Sequence, residues 1–196
     1  MKSKEIYQNT IAVTNRHLCK RPFLEQIKSV CRLTPRALVL REKDLEIEEY
    51  EKLARQVLPI CESYDIPCIL HLFSKTAEKL HMDKIHLPLW NLQEEGWSNA
   101  FTVIGTSVHS VQEAKGAEKL GATYLMTGHV FSTDCKPGLP PRGLTFLEEV
   151  CEAVKIPVYA IGGMELTESC YRQVMETGAA GMCVMSGFMK INPNIE

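Results

Sequence analysis

Long apolar runs are missing from this chain. No stretch approaches the roughly 18 consecutive apolar residues that a bilayer-spanning helix needs. An excess of one charge is missing too: 22 Lys and Arg stand against 24 Asp and Glu, for a net charge of −2. That balance excludes the basic footprint of a dedicated nucleic-acid or membrane-surface binder. Eight cysteines are scattered without a CxxC pair, and six histidines form no HxH or HxxxH pair, so no metal site is expected. The opening Met1-Lys2-Ser3-Lys4-Glu5 is polar and lacks the apolar centre of a signal peptide. There is no linker, low-complexity tract or shift in composition. The expectation is a reduced, cytoplasmic, single-domain protein over residues 1–196.

What is present is a series of short apolar or β-branched runs: Thr10–Thr14, Ala37–Leu40, Pro67–Leu72, Lys84–Leu87, Phe101–Ile104, Thr123–Met126, Pro157–Ile161 and Gly181–Met185. They are continuous rather than alternating, as in strands of a parallel sheet buried on both faces. Helical periodicity fills most intervals, most clearly in 47–63, where Ile47, Tyr50, Leu53, Ala54, Val57, Leu58 and Cys61 share one face. Ser110 with Glu113 reads as a capping box, and Gly121 and Gly178 as stops. Eight β–α units at about 25 residues each predict a (β/α)8 TIM barrel, with a doubly wound open sheet as the alternative. Beyond the eighth strand only Gly187–Glu196 remain, and Asn192-Pro193-Asn194 breaks a helix. The last helix is therefore expected to be short or missing. The wall it leaves open is expected to be covered by a partner subunit, giving a homo-oligomer, or by a shifted neighbouring helix.

Chemistry in such a barrel collects where strands end at the C-terminal face. Gly162-Gly163 after strand 7 and Ser186-Gly187 after strand 8 suit phosphate binding, because glycine lets backbone N–H groups approach an anion; simple turns are the plainer alternative. Arg41 and Lys43 alternate along extended chain and point the same way, although an exposed charged loop has the same composition. His129, at the end of strand 6, suits proton transfer near neutral pH or a hydrogen-bonded core position. His71 and His86, on strands 3 and 4, read as hydrogen-bonded wall residues.

In order along the chain stand VTNR, LREKD, GTSVHS, GHVFSTDCKPG, AIGGM and VMSG. Together they resemble the thiamine phosphate synthase/TenI superfamily from about Ile11 to Met189. The resemblance implies a barrel with its site at the strand C-termini, and it offers two branches. Synthases join an aminopyrimidine pyrophosphate to a thiazole phosphate with magnesium, held by an Asp after strand 3 and another after strand 4. Here Leu72 and Asn91 stand at those two positions. The GHVF-x-TDCK stretch looks like the TenI branch, which implies a cofactor-free thiazole tautomerase, an isomerase, with His129 as its catalytic proton shuttle. By the same resemblance Arg41, Lys43, Ser107, His109, Thr133 and Lys136 would bind substrate, and Gly162, Gly163, Ser186 and Gly187 its phosphate. The implied partner is a small-molecule thiazole phosphate, with no nucleic acid or membrane. A thiamine phosphate synthase and a non-catalytic thiazole or thiamine phosphate-binding regulator are the two alternatives.

Overall fold

The computed structural model describes residues 2–94, 100–133 and 138–192. Its strands are β1 (Thr10–Val13), β2 (Ala37–Leu40), β3 (Cys68–His71), β4 (Lys84–Pro88), β5 (Val103–Val108), β6 (Tyr124–Gly128), β7 (Val158–Ile161) and β8 (Gly181–Val184). They close into a barrel in chain order, every neighbour parallel, with β8 returning to β1 through Ile11 opposite Cys183. Parallel neighbours need crossovers. These are α2 (Phe23–Arg32), α3 (Ile47–Ser63), α4 (Ser74–Lys79), α5 (Leu89–Glu94), α6 (Val111–Lys119), α7 (Gly143–Ala153) and α8 (Glu168–Met175). A helix α1 (Lys2–Gln8) precedes β1, and α9 (Ser186–Lys190) follows β8.

The continuous apolar runs are explained by burial on both sides of the sheet. Ile11, Val13, Ala37, Val39, Ile69, Tyr124, Met126, Tyr159 and Cys183 fill the lumen. The alternate residues, such as Leu38, Leu40, Leu70, Leu87, Leu125 and Met182, pack outward with the helices. One strand differs from the sequence expectation: β5 continues through Gly105-Thr106-Ser107-Val108, whose small polar residues resemble a loop. Ladder pairing on both sides, Ser107 with Pro88 and Met126 among others, holds them extended.

Helix ends follow their local chemistry. Ser110 caps α6 by accepting from the Glu113 N–H (3.0 Å), but the Glu113 carboxylate turns to the N–H of His109 rather than closing the box on Ser110. Thr167 caps α8 through the Cys170 N–H.

The last helix is short, as expected, and the chain itself covers the seam between β8 and β1. Ile6 of α1 and Phe188 and Met189 of α9 are buried there, with the Tyr7 ring 6.2 Å from that of Phe188. The Gln26 amide of α2 donates to the carbonyls of Phe188 (2.6 Å) and Ile191 (3.2 Å), satisfying the end of the short helix. Among the described residues, seven cysteines carry free thiols, and no helix is long and apolar enough to cross a membrane.

Candidate active site at the barrel mouth

Beyond β2, Arg41 continues the lumen-facing register of Ala37 and Val39. Its charge acts on the imidazoles of both His71 and His86, and that of Lys43 on His71, which brings the two cations to the mouth. Glu42, between them, turns the opposite way and is 1% exposed. Its carboxylate accepts from the Thr14 hydroxyl (2.7 Å), the Arg16 N–H (3.0 and 3.1 Å) and the Arg16 guanidinium (3.1 Å). The Thr14 hydroxyl oxygen in turn accepts from the Arg41 N–H (2.9 Å). Arg16 forks onto both oxygens of Asp44 (2.8 and 2.7 Å), and His17 Nε2 meets the same carboxylate at 2.8 Å. The Arg16 hydrogen bonds, then that of His17, hold the Asp44 carboxyl well below the usual carboxylate range. The loop after β1 is thus tied to the one after β2, and the backbone under Arg41 is fixed.

A polar wall crosses β3 to β6. His86 lies between the Tyr124 hydroxyl (Nδ1, 2.9 Å) and the Ser107 hydroxyl (Nε2, 2.9 Å), the hydrogen-bonded role expected of it. Tyr124 finds room only because residue 105 is glycine: a Cβ there would stand 2.0 Å from the phenol ring. Burial keeps His86 neutral and the Tyr124 phenol protonated. His71 departs from expectation. Its ring stacks on His86 at 5.7 Å and 15°, yet Nδ1 is buried without a hydrogen-bond partner. Burial first, then the charges of Arg41 and Lys43, push its pKa down to about 3.

That shift carries a sign. In the unfolded chain His71 gains a proton near pH 6.5, whereas in the folded chain it stays neutral until about pH 3, so acid favours unfolding across that window. Stability is expected to fall by about 2 kcal/mol between pH 7 and pH 5 on account of His71 alone. Urea titrations at the two pH values measure it, and a His71→Asn variant should show a shallower loss.

Beyond β5, His109 Nδ1 meets the Gly128 carbonyl at 2.6 Å. A carbonyl can only accept, so Nδ1 carries the proton. His129 is buried, with Nε2 3.3 Å from the Leu139 carbonyl. The chain at 129–132 crosses directly over Gly162 and Gly163, both at positive φ (+96° and +70°). A Cβ on Gly162 would lie 2.3 Å from the His129 Cβ, and one on Gly163 2.4 Å from the Ser132 carbonyl oxygen. Ser186 and Gly187 open α9, where backbone N–H groups have no intrahelical acceptor. Thr133 is half-buried on the same side, and Lys136 lies outside the described residues.

Among the described residues the donor set at this mouth does not suit magnesium, which wants anionic oxygens. Leu72 offers none, and its backbone sits at φ +71°, a conformation that asparagine and aspartate adopt far more readily than leucine. Asn91, in the first turn of α5, is neutral. Glu42 and Asp44 are committed to Arg16, Thr14 and His17. Among the described residues no three His, Cys, Asp or Glu side chains gather as a metal site.

Set beside known proteins, residues 10–188 match the profile of the family described as Thiamine monophosphate synthase. Thiamine-phosphate synthase 2 of Streptococcus pneumoniae is 34% identical over 184 residues, covering 91% of this chain and 86% of that protein. Thiamine-phosphate synthase of Clostridium acetobutylicum is 31% identical over 192 residues, covering 95% and 89%. The solved thiamine phosphate pyrophosphorylase of Pyrococcus furiosus superposes with a TM-score of 0.77 at 28% identity, over 96% of this chain and 90% of that one. These relatives overturn the tautomerase expectation: they are named as synthases, which are transferases, and not as isomerases. The isomerase reading leans on His129 and the GHVF-x-TDCK stretch. In the structure the backbone and Cβ of His129 pack against Gly162, its Nε2 lies 3.3 Å from a backbone carbonyl, and residues 134–136 of that stretch lie outside the described residues.

Proposed function

We propose that this chain, which belongs to the thiamine monophosphate synthase family, is a transferase that couples an aminopyrimidine pyrophosphate to a thiazole phosphate. One observation carries the reading. A single barrel mouth presents two arrangements suited to two anionic groups, a close-packed glycine cradle after β7 and β8 and a cationic pair after β2. Gly162, Gly163, Ser186 and Gly187 hold the thiazole phosphate through backbone N–H groups and a hydroxyl. Arg41, Lys43, Ser107 and Lys136 hold the pyrophosphate. His109, His129 and Thr133 shape the space between.

In the transfer a new bond to the pyrimidine's carbon forms as the carbon–oxygen bond to pyrophosphate breaks, and negative charge builds on the leaving group. Positioned cations stabilise that charge more in the transition state than in the ground state. Glu42, through Thr14, fixes the backbone that delivers Arg41 to this charge. No proton needs to be moved by a side chain for the leaving group to depart.

The test is turnover of the two substrates by the purified chain, followed as release of pyrophosphate and formation of thiamine phosphate. Arg41→Ala is expected to lower kcat/KM by about 10²-fold or more. Binding of thiazole phosphate without any coupling would replace the transferase by a phosphate-binding regulator.

A further inference from the structure

The magnesium chemistry that the family resemblance implies and this chain's donor set disagree at Leu72 and Asn91. We infer that the mouth takes the pyrophosphate group as a free polyanion, held by Arg41, Lys43 and the imidazole of His71, with no divalent cation between protein and ligand. The inference rests on the transferase reading for the identity of the ligand, but its argument is local.

Two independent observations meet here. The first is electrostatic. Arg41 and Lys43 both act on the His71 imidazole, so they stand within range of one another's field at the end of β3. A dication entering that space would be repelled by two charges and would find no carboxylate of the same loop in return. Glu42 and Asp44, the acidic residues there, are occupied by Thr14, Arg16 and His17. The second is a missing partner. His71 is 9% exposed, and its Nδ1 is buried with no hydrogen bond. Leaving such an atom unsatisfied costs about 1–3 kcal/mol unless a ligand atom meets it. Burial keeps the ring neutral, so it carries a single N–H, which in one of its two tautomers is a donor at Nδ1 toward an anion. The ring cannot swing away easily, because it lies against His86, which is itself pinned by Tyr124 and Ser107.

Where magnesium would be held by carboxylates, this mouth supplies cations and a neutral donor instead. The counter-charge for the leaving group then belongs to the protein. Leu72 keeps a left-handed backbone suited to an Asx side chain, so carboxylates can be reinstated without remaking the turn.

Isothermal calorimetry with inorganic pyrophosphate tests this directly, once in EDTA and once in excess magnesium. Binding in EDTA at least as tight as in magnesium is expected, since the metal would only compete for the ligand. His71→Ala should weaken it about tenfold in EDTA, the fold-change of one hydrogen bond to a charged group. The double variant Leu72→Asp, Asn91→Asp should lose tenfold or more in EDTA and recover in magnesium, with circular dichroism checking its fold. Binding that requires magnesium in the unaltered protein, binding in neither condition, or a double variant indifferent to magnesium each overturns the inference. The two readings fail separately. Metal-free binding without coupling of the substrates removes the transferase and leaves this site standing; coupling that needs magnesium for pyrophosphate binding does the reverse.

Discussion

Gly163→Ala is expected to cost about 3 kcal/mol of stability, or about 6–12 °C in Tm for a chain of this size. Two effects add. At φ +70° an alanine meets the left-handed penalty of about 1 kcal/mol, and its methyl would lie 2.4 Å from the Ser132 carbonyl oxygen and 2.7 Å from the Phe131 Cβ. The crossing chain at 129–132 would have to lift, and the Phe131 N–H bond to the Gly162 carbonyl (3.0 Å) would stretch with it. The same lift opens the proposed phosphate cradle, so affinity for thiazole phosphate should fall along with Tm. Gly116→Ala is the control. That residue lies in α6, where an added methyl would meet nothing within 4 Å, and the substitution should raise stability by about 0.5–1 kcal/mol. Scanning calorimetry on the two variants should move in opposite directions; equal shifts would mean that chain flexibility and not the crossing sets the need for Gly163.

Glu42→Ala is expected to be comparably severe, at about 2–4 kcal/mol, because it leaves the buried Thr14 hydroxyl and the Arg16 N–H without their acceptor, while the Arg16 guanidinium keeps Asp44. Its second effect is on function. The Thr14 hydroxyl accepts from the Arg41 N–H while donating to Glu42, so losing the carboxylate frees that hydroxyl to turn away and loosens the backbone beneath Arg41. Glu42→Gln keeps one oxygen for Thr14 and should cost less than half as much. Urea unfolding of both variants, with kcat/KM measured on the folded fraction, separates the two effects. A Glu42→Ala protein as stable as the parent would show that the tie between the first two loops carries no weight.

The barrel is legible in the sequence because its strands are buried on both sides and so appear as uninterrupted apolar runs. What the sequence conceals is of two kinds. Helices α1, α4 and α5 span seven, six and six residues, too few turns for a periodic face to stand out. Strand β5 reads as shorter than it is because Gly105, Thr106 and Ser107 carry the composition of a loop, and only pairing with β4 and β6 makes them extended. At the mouth, alternation along the chain correctly sets Arg41 apart from its neighbour, but it cannot show where Glu42 goes. Its partners Thr14 and Arg16 are 28 and 26 residues away and reach it only through the β1–β2 pairing. The orphaned Nδ1 of His71 is equally invisible, since an absent partner is a property of the packed interior. The isomerase reading fails for a related reason. It weighs two missing carboxylates and one histidine against a pattern that runs the length of the chain, and that pattern groups the protein with synthases.

The seam between β8 and β1 also bears on how the protein is made. Asn9 donates to the Tyr171 hydroxyl (2.8 Å) and Gln26 to the Phe188 carbonyl (2.6 Å), each across 162 residues of chain. At about 5–20 residues per second, a ribosome takes about 10–30 s to produce the second partner after the first. Throughout that interval one edge of β1 has no neighbour, and the apolar side of α1 has no α8 to lie against. A nascent chain of this protein therefore carries an open strand edge for most of its synthesis, which is where association with another chain, or capture by a chaperone, would begin.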